Sequence, residues 1–313
     1  MEHGTCSIIV SVYNEAAVLL HFHQTLSAAL SALPYRTEIL YVDDGSSDGS
    51  RQLLDDIAAT DPTAQAIHFS RNFGHEAAMI AGIDHAVGDV VICMDADLQN
   101  PPTCLEDMLQ LFEQGNDIVT MVREGRADGG LFKHVTSRLF YRLINRLSDT
   151  KLQPNASDFF LISRRVADVL RTCYRERTRF LRGLIQTVGF RTATLPYRAP
   201  QRAAGESKYS FSKLMRFAFV SIASFSKAPL KLGIYSGLLF GLLSIILIIY
   251  SIVMWIIARP VGGYTTLIIF LSAFAAILLF VVGIIGYYVG CILDEVKERP
   301  IYTIEYTTHP DKP

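Results

Sequence analysis

Two long apolar segments near the C-terminal end constrain the fold of this 313-residue chain more than any other feature. Residues 232–258 and 261–293 contain no Asp, Glu, Lys or Arg, and only Arg259 and Pro260 separate them. A transmembrane helix needs about 20 predominantly apolar residues, so each segment is long enough to cross a bilayer. A buried helix of a soluble protein is rarely apolar on all sides over such a length. The sequence therefore predicts transmembrane helices at 232–258 and 265–293 that form an antiparallel hairpin.

Basic residues are distributed unevenly around these two segments, and this predicts their orientation. Several precede the first segment and two follow the second, whereas the turn between the segments has only Arg259. Because Lys and Arg are enriched in cytoplasmic loops, residues 1–206 and the tail 294–313 are predicted to be cytoplasmic. The N-terminus lacks a basic region followed by an apolar stretch, so no cleaved signal peptide is expected. The flanking basic residues are Lys208, Lys213, Arg216, Lys227, Lys231, Lys297 and Arg299.

Before the apolar segments, residues 1–206 alternate between short β-branched runs and helical patterns. Such alternation is typical of an α/β fold, in which right-handed crossovers connect the strands of a mostly parallel sheet with helices on both faces. The predicted strands are 7–12, 38–42, 65–69, 90–94 and 117–122, and the predicted helices are 15–33, a helix ending near 60, 75–87 and 105–114.

Clusters of polar residues follow four of the predicted strands, at 13–15, 43–46, 70–75 and 95–99. In open α/β sheets, ligands bind beyond the carboxyl ends of the strands, so these clusters are predicted to line one cleft. The chain has no GxxxxGKS or GxGxxG phosphate-binding loop. A nucleotide bound in the cleft would need its phosphates neutralised in another way, most simply by a metal ion.

Asp95, Asp97 and Gln99 directly follow the apolar run 90–94. In an extended segment, residues i, i+2 and i+4 share one face, so all three side chains could point to the same ion. Carboxylate and amide oxygens are hard ligands that suit Mg²⁺ or Mn²⁺, and the cation would relieve the repulsion between the carboxylates. The alternative interpretation is an acidic turn that caps the next helix. The polar clusters at the other strand ends favour the metal site.

Charge and cysteine content exclude several classes of protein. The formal net charge is −1, which indicates neither a nucleic-acid-binding protein nor an acidic tail. The five cysteines are scattered and no pair has CxxC spacing, so neither a zinc site nor a disulfide framework is indicated. A reducing, cytosol-facing compartment fits this pattern best.

Residues 207–231 connect the predicted α/β region to the first apolar segment. Their apolar residues recur at helical spacing and are flanked by basic residues, which suits a helix lying in the headgroup plane of a membrane. The alternative is an amphipathic helix that faces the protein core. The apolar face comprises Phe211, Leu214, Ala218, Ile222 and Phe225. The tail beyond residue 299 is short and alternating, and it could add a strand to a neighbouring subunit or be disordered.

Six motifs in this order make the chain resemble the family 2 glycosyltransferases of the GT-A fold. More narrowly, it resembles polyprenyl-phosphate glycosyltransferases such as the bactoprenol glucosyltransferases and the dolichol-phosphate mannose synthases. The motifs are VSVYNE, YVDDGSSDGS, SRNFGHEAAMIAGIDHAVGD, MDADLQNPP, SDFFLISR and RAAGESKYSFSKL. With the C-terminal hairpin, the resemblance covers nearly the whole chain.

The resemblance implies a role for specific positions. Asp158 and Asp97 would be the catalytic residues. The nucleotide sugar would be bound by Tyr13, Glu15, Asp44, Arg71, Asp95, Arg202 and Lys208. The acceptor phosphate would be approached by Arg123, Lys133 and Ser137, and the metal would be held by Asp95, Asp97 and Gln99.

The resemblance also implies a reaction. A hexose-type sugar would pass from a UDP-sugar to undecaprenyl phosphate, or another polyprenyl phosphate, with Mg²⁺ or Mn²⁺ and with inversion at the anomeric carbon. The enzyme would sit in the bacterial inner (plasma) membrane, and relatives suggest a homotetramer. Because a phosphate acceptor is already anionic at neutral pH, no general base is strictly required. Asp158 could orient the sugar, ligate the metal through water or stabilise oxocarbenium charge.

Phe160 is the main departure from the family pattern, because relatives often have Arg at this position. A cationic contact is therefore either missing or supplied by another residue.

Two alternative functions would leave different signatures in the sequence. A processive polysaccharide synthase would commonly carry a QxxRW-like motif and more membrane spans, which this chain lacks. An inactive scaffold or lipid-binding partner of a flippase is less favoured because the acidic residues are intact.

Overall fold

The computed structural model describes residues 4–124, 153, 156–177, 180–198, 200, 228–257 and 263–308. These residues belong to two compact units. The first contains the sheet and its helices together with the chain after residue 299, and the second contains the two long apolar helices.

The described elements follow one another in the order expected for an α/β domain followed by two apolar helices. The strands are β1 (Thr5–Val12), β2 (Arg36–Asp43), β3 (Ala64–Phe69), β4 (Val90–Asp95), β5 (Ile118–Glu124), β6 (Ala156–Ser163), β7 (Thr192–Arg198) and β8 (Ile304–Thr307). The α-helices are α1 (Ala16–Leu30), α2 (Ser50–Thr60), α3 (His75–His85), α4 (Leu105–Glu113), α5 (Arg164–Cys173), α6 (Leu181–Thr187), α7 (Ala228–Ile256) and α8 (Tyr264–Val296). A 3₁₀ turn at Pro102–Cys104 precedes α4.

The eight strands form one sheet in the order β7-β5-β6-β4-β1-β2-β3-β8. β1 is parallel to β2 and β4, β2 is parallel to β3, and β5 is parallel to β7. β6 is antiparallel to both β4 and β5, and β8 is antiparallel to β3. The predicted mostly parallel sheet is confirmed. The strands β6 and β7 were not predicted, and β8 lies in the tail, for which the sequence left a strand as one of two alternatives.

Helices cover both faces of the sheet, as predicted. Along β1, Ile8 packs in a core with α1, α2 and α4, whereas the next residue, Ile9, packs in a second core with α3, α5 and α6. This alternation follows from the two-residue period of a strand. Because both faces are covered, Cys6–Val12 are all buried, including the polar residues Ser7 and Ser11.

Parallel pairing brings the carboxyl ends of three strands to the same edge of the sheet. Val12, the last residue of β1, lies opposite Asp43, the last residue of β2. On the other side of β1, Ser11 lies opposite Asp95, the last residue of β4. The polar clusters that follow these strands therefore meet at one edge, as the sequence predicted.

The strand β8 belongs to the C-terminal tail and pairs with β3 of the same chain. This finding differs from both alternatives that the sequence left open for the tail, pairing with a neighbouring subunit and disorder. The reason is that β3 is the last parallel strand on its side of the sheet, so its outer edge is available to a strand from the same chain.

The second unit consists of α7 and α8, which pack against each other. Phe240 of α7 is buried against the rings of Phe270 and Phe274, with ring centroids 5.9 and 5.6 Å away. A Cβ atom on Gly233 would lie 2.8 Å from Val281 Cγ1, so glycine allows close approach of the helices there. Both helices contain stretches long and apolar enough to cross a membrane, at Gly233–Met254 and Ile269–Val296.

The predicted spans overlap these helices, with differences at their ends. α7 begins at Ala228, so residues 228–231 of the predicted interfacial segment belong to this long helix instead. α8 continues to Val296, three residues beyond the predicted end of the span. The rest of the predicted interfacial helix lies outside the described residues. Most apolar side chains of the pair face outwards, and Leu279 is 71% exposed, as expected for helices surrounded by lipid.

Candidate active site

The loops after β1 and β2 are joined by hydrogen bonds and form one cradle at the edge of the sheet. The backbone N–H of Asn14 donates to Ser46 Oγ at 3.0 Å, and the N–H of Ser47 donates to Asn14 Oδ1 at 2.8 Å. The N–H of Glu15 donates to Ser50 Oγ at 3.0 Å. Asn14 has a φ of 56°, a left-handed conformation that Asn tolerates better than most residues. The motifs VSVYNE and DDGSSDGS are therefore two halves of one structure.

Tyr13 and Glu15, both predicted to bind the nucleotide sugar, lie on this cradle. The Tyr13 side chain is 49% exposed, which leaves its ring available for stacking on a nucleobase. Glu15 is partly buried at the start of α1.

Asp44 joins the cradle to the loop after β3. Its buried carboxylate accepts the backbone N–H of Phe73 at 2.6 Å, and its two oxygens lie 3.1 and 3.0 Å from the N–H of Gly74. Burial raises the pKa of Asp44, and these hydrogen bonds only partly oppose that rise. Asp44 was predicted to contact the nucleotide, and its carboxylate here also holds the loop that carries Arg71, another predicted nucleotide-binding residue.

The same two loops touch through a glycine. Gly45 has a φ of +71°, and a Cβ atom there would lie 2.5 Å from the carbonyl carbon of Arg71. Arg71 is exposed, and its guanidinium lies over the ring of Phe73, 4.0 Å from the centroid. Any side chain at Gly45 would therefore displace the backbone that carries Arg71.

Asp95 and Asp158 lie side by side on one face of the sheet. Cys93 of β4 is opposite Phe160 of β6, so two residues further along, the alternation of the strands directs Asp95 and Asp158 to the same face. His75, the first residue of α3, lies between them. Its Nδ1 is 3.6 Å from Asp95 Oδ1, and its Nε2 is 3.7 Å from Asp158 Oδ2.

Ser11 completes this cluster from the neighbouring strand. Its hydroxyl lies 2.9 Å from His75 Nδ1 and 3.1 Å from Asp95 Oδ1. Ser11 was not among the predicted site residues, and its hydroxyl is the group that allows both contacts.

The cluster is rich in negative charge, and the pKa values reflect this. Burial raises the pKa of Asp95, and the charges of Asp158 and Asp97 raise it further, although His75 opposes them. Burial lowers the pKa of His75, but the charges of Asp95 and Asp158 outweigh that effect and raise it above its usual value. Closely spaced carboxylates of this kind are stabilised by a cation.

Arg182 supplies a cationic partner for Asp158. Its Nη2 lies 2.9 Å from Asp158 Oδ2, and it comes from α6, which the sequence did not predict. Phe160, where relatives often have Arg, is buried in the core on the same face of the sheet. The sequence left open whether a cationic contact is missing here or is supplied by another residue, and the Arg182–Asp158 contact favours the second alternative. No local signal in the sequence connects Arg182 with Asp158.

Glu76 is a further acid next to this cluster, and the sequence did not single it out. It is the second residue of α3, and its Oε2 accepts the backbone N–H of Leu181 at 2.5 Å. Burial raises the pKa of Glu76, and the charge of Asp158 raises it further. Glu76 therefore anchors the start of the helix that carries Arg182.

The segment after β4 is a turn, which corrects the prediction that Asp95, Asp97 and Gln99 extend along one face. Leu98 has a φ of 61°, and Asp97 Oδ1 accepts the N–H of Gln99 at 3.0 Å. Gln99 Oε1 accepts a hydrogen bond from Arg123 Nη2 at 3.1 Å. The alternation of side chains along β4 ends with the strand at Asp95, and the left-handed conformation of Leu98 then turns the chain.

Arg123, predicted to approach the acceptor phosphate, therefore contacts a predicted metal ligand. Its Nε lies 3.4 Å from the hydroxyl of Tyr197, which is 3.3 Å from Asn100 Oδ1. The guanidinium thus occupies a polar cluster next to the turn. Four other predicted site residues, Lys133, Ser137, Arg202 and Lys208, lie outside the described residues.

The oxygen ligands near the turn fit a divalent cation such as Mg²⁺ or Mn²⁺. Within the part of the chain that the structure describes, no three His, Cys, Asp or Glu side chains are grouped so as to hold a metal ion. Mg²⁺ is usually bound by one or two carboxylates together with substrate phosphates and water. Asp95 and Asp97 would be those carboxylates, and the charge of Asp97 raises the pKa of Asp95.

Comparisons with known proteins agree with this architecture. The family model for Glycosyl transferase family 2 matches residues 7–171, which is more than half of the chain. An uncharacterized glycosyltransferase of Bacillus subtilis is 36% identical over 307 residues, covering 97% of this chain and 94% of that protein. The SfII prophage-derived bactoprenol glucosyl transferase of Shigella flexneri is 35% identical over 300 residues, covering 96% and 97%.

A prophage bactoprenol glucosyl transferase homolog of Escherichia coli is 34% identical over 300 residues, covering 96% of this chain and 98% of that protein. These similarities extend through the second unit as well as the sheet. With the family model matched across β1 to α5, the chain belongs to glycosyl transferase family 2.

Proposed function

We propose that this protein transfers a hexose-type sugar from a UDP-sugar to undecaprenyl phosphate or another polyprenyl phosphate. The observation that carries the proposal is that a chain of glycosyl transferase family 2 also has two helices long and apolar enough to cross a membrane. An enzyme held at a bilayer is well placed to use an acceptor that is itself a lipid. Relatives named bactoprenol glucosyl transferase support the same acceptor and a hexose donor.

The donor would bind at the cradle formed by the loops after β1 and β2. Tyr13, with its half-exposed ring, would stack on the base, and Glu15 and Asp44 would hold the base and ribose. Arg71, whose loop is tied to Asp44 through Phe73 and Gly74, would lie over the nucleotide. Arg202 and Lys208 are assigned to the donor diphosphate by resemblance alone.

Asp95 and Asp97 would hold Mg²⁺ or Mn²⁺, with Gln99 as a further ligand. When bound, the cation would neutralise charge on the diphosphate as it leaves. Gln99 would serve as a ligand only if its amide oxygen turned away from Arg123, since the two are hydrogen-bonded here.

The acceptor phosphate is already anionic at neutral pH, so its attack does not require a general base. The protein must instead bring two anions together and hold them in line. Arg123, Lys133 and Ser137 would bind the acceptor phosphate and offset this repulsion. Asp158, held by Arg182, would face the sugar, and a single displacement would invert the anomeric carbon.

The chain would be organised around the membrane in five parts. We assign residues 1–206 to the catalytic domain, 207–231 to an interfacial segment, 232–258 and 265–293 to transmembrane helices, and 294–313 to a tail. The catalytic domain and both termini would face the cytoplasm at the bacterial inner membrane. A homotetramer is proposed by resemblance, and light scattering of the purified protein in detergent would test it.

The decisive experiment incubates the purified full-length protein with undecaprenyl phosphate, Mg²⁺ or Mn²⁺, and a panel of UDP-sugars. We expect one hexose donor to yield a glycosylated lipid and UDP in equal amounts, with the product inverted at the anomeric carbon. Asp97→Ala should abolish turnover.

Absence of turnover with every donor, together with UDP binding by Asp97→Ala equal to that of the unmodified protein, would contradict the enzyme assignment. Binding to lipid vesicles without turnover would then favour a scaffold.

A further inference from the structure

The C-terminal strand β8 is a part of the first unit to which the proposed reaction assigns no role. It pairs with β3, with Ile304 opposite Phe69. Beyond it, the N–H of Thr308 donates to Ala66 O at 3.0 Å, and the N–H of Ala66 donates to Thr308 Oγ1 at 2.9 Å. Covering an exposed sheet edge against pairing with other chains is one role for such a strand. Its side chains indicate a second role.

Tyr306 of β8 covers a buried histidine. His68 has no exposed surface, and its Nδ1 and Nε2 lie 3.1 Å from Asp43 Oδ2 and 3.2 Å from Asp55 Oδ1. The Tyr306 ring stacks on the imidazole with a centroid distance of 4.5 Å and an angle of 24°. Its hydroxyl donates to Asp55 Oδ2 at 2.9 Å. Tyr306 therefore fixes both the ring of His68 and one of its two carboxylate partners.

Glu305 of β8 holds an arginine that contacts the ends of two other strands. Arg51 Nη1 donates to Glu305 Oε2 at 2.9 Å. Its Nη2 donates to Phe69 O at 2.9 Å, and its Nε donates to Asp43 Oδ2 at 3.3 Å. Because a guanidinium presents its donors in a rigid fork, the bond to Glu305 restricts the direction of the other two.

Both chains of contacts end at Asp43, the last residue of β2. Asp43 has no exposed surface, and its second oxygen, Oδ1, accepts the N–H of Ser46 at 2.9 Å. Burial raises the pKa of Asp43, but the bonds from His68 and Ser46 outweigh it and bring the pKa below its usual value. Ser46 in turn accepts the N–H of Asn14, so Asp43 lies at the base of the donor cradle.

The backbone of the tail also contacts the loop after β3, which carries Arg71. The N–H of Ser70, the first residue after β3, donates to Thr303 O at 3.1 Å. Tyr302 stacks on Phe69 with a centroid distance of 5.2 Å and an angle of 10°. The tail therefore meets the chain directly before Arg71, the residue assigned to the nucleotide.

We propose that Glu305 and Tyr306 of the tail are positioning residues for the donor nucleotide. Through Arg51 and His68 they hold Asp43, and with it the cradle, in the conformation that receives the nucleotide. The inference rests on the proposed function, because it assumes that the cradle binds UDP. Loosening the tail would leave Asp43 free to sample other orientations, and binding would then have to restore the fixed one, which weakens affinity.

The experiment measures UDP binding to the purified full-length protein in detergent with Mg²⁺, by titration calorimetry. Glu305→Gln and Tyr306→Leu should each raise the Kd of UDP by about fivefold to twentyfold, within the usual range for coupled sites. The KM for the donor should rise in parallel, and kcat should stay close to that of the unmodified protein. Glu305→Asp, which keeps the charge, should recover part of the affinity.

Thr308→Val is the matched control. It removes the side-chain hydrogen bond between the tail and β3 while leaving Arg51 and His68 untouched. We expect its Kd for UDP to equal that of the unmodified protein, even if its melting temperature falls. A double-mutant cycle of Glu305→Gln with Arg51→Met should be non-additive in UDP binding.

The outcomes separate this inference from the function on which it rests. If the unmodified protein binds UDP while Glu305→Gln and Tyr306→Leu bind it equally well, β8 only covers the sheet edge and the inference is wrong. The inference is also wrong if Thr308→Val weakens UDP binding as much as they do, because the effect is then a general loss of stability. If the unmodified protein itself binds no UDP, the result contradicts the proposed function on which the inference rests.

Discussion

Arg182 Nη2 lies 2.9 Å from Asp158 Oδ2, and this contact joins helix α6 to the strand that carries the predicted catalytic acid. His75 approaches the same oxygen from α3 at 3.7 Å. Asp158 therefore has cationic or polar partners on two sides. Its orientation depends on elements that are separate in sequence.

The first prediction concerns Arg182. Arg182→Met should lower kcat by on the order of 10²-fold, because a misplaced reacting group costs about that much. Arg182→Lys should recover part of the rate, since a lysine keeps the charge without the planar fork. The measurement is turnover under saturating donor and acceptor.

Arg165→Met is the matched control, because Arg165 also pairs with an aspartate, Asp117, at 2.6 Å. The Arg165–Asp117 pair lies next to Ser163, which is opposite Val90 at the start of β4. Asp95 is at the other end of β4, so the control pair lies at the opposite end of that strand from Asp95. An equal loss of kcat in both variants would show that the effect is one of general stability and not of the orientation of Asp158.

The second prediction concerns metal dependence. Asp97→Asn and Asp95→Asn should each lower turnover by roughly 10²-fold to 10³-fold, because a bound cation contributes several kcal/mol to the stabilisation of transition-state charge. Turnover of Asp97→Asn should also require a higher Mn²⁺ concentration for half-saturation. Asp56→Asn, on the exposed face of α2, is the control and should leave the Mn²⁺ titration unchanged. An unchanged titration in Asp97→Asn would remove Asp97 from the metal site.

The third prediction compares two glycines in the loop after β2, both with positive φ. Gly45→Ala brings a Cβ to 2.5 Å from the Arg71 backbone, whereas Gly49→Ala meets nothing within 4 Å. Each should lose about 1–3 kcal/mol of stability from left-handed strain. Only Gly45→Ala should also weaken UDP binding, by about tenfold, which corresponds to about 1.4 kcal/mol. Calorimetry of both variants tests this, and equal affinities would exclude a role for the contact between the loops.

The fourth prediction concerns pH and Asp117. Hydrogen bonding from Arg165 lowers the pKa of Asp117, and the bond from Ser163 lowers it further despite burial. A depressed carboxyl pKa contributes stability above the unfolded value of about 3.9, and that contribution is lost as the pH falls through the folded pKa. Asp117→Asn should therefore lower the melting temperature at pH 7, by roughly 2–4 °C.

As the pH falls below the unfolded value of about 3.9 and then through the depressed folded pKa of Asp117, the melting temperatures of the unmodified protein and Asp117→Asn should converge, because the carboxyl is then protonated in both states. Thermal unfolding in detergent from about pH 7 to about pH 2, followed by tyrosine fluorescence, covers this range. A difference that stays constant over the whole range would contradict the assignment of this stability to the Asp117 charge.

The fifth prediction concerns orientation in the membrane. Cys173, at the end of α5, is an exposed thiol. In a bacterial expression host, a membrane-impermeant maleimide should label it in inverted vesicles and not in intact spheroplasts. In a Cys173→Ser background, Gly263→Cys at the start of α8 should show the reverse pattern. Labelling of Cys173 in intact spheroplasts would refute the cytoplasmic orientation.

The layered α/β sheet, the two apolar helices and the edge at which the site lies could all be predicted from the sequence alone. These features follow from local patterns: short β-branched runs mark the buried strands, a run of about 20 apolar residues marks a membrane-length helix, and parallel strands end at a common edge. Even the position of Asp95 followed, since it is the last residue of a buried strand.

Which side chains meet within the site and at the edge of the sheet depends on how the elements pack in three dimensions. Gln99 contacts Arg123 because Leu98 adopts a left-handed conformation, which apolar periodicity does not encode. Arg182 reaches Asp158 from a separate helix, and Glu305 reaches Arg51 across 254 positions of sequence. Local patterns depend only on residues that are neighbours along the chain, whereas these pairs depend on where each helix and edge strand packs against the sheet.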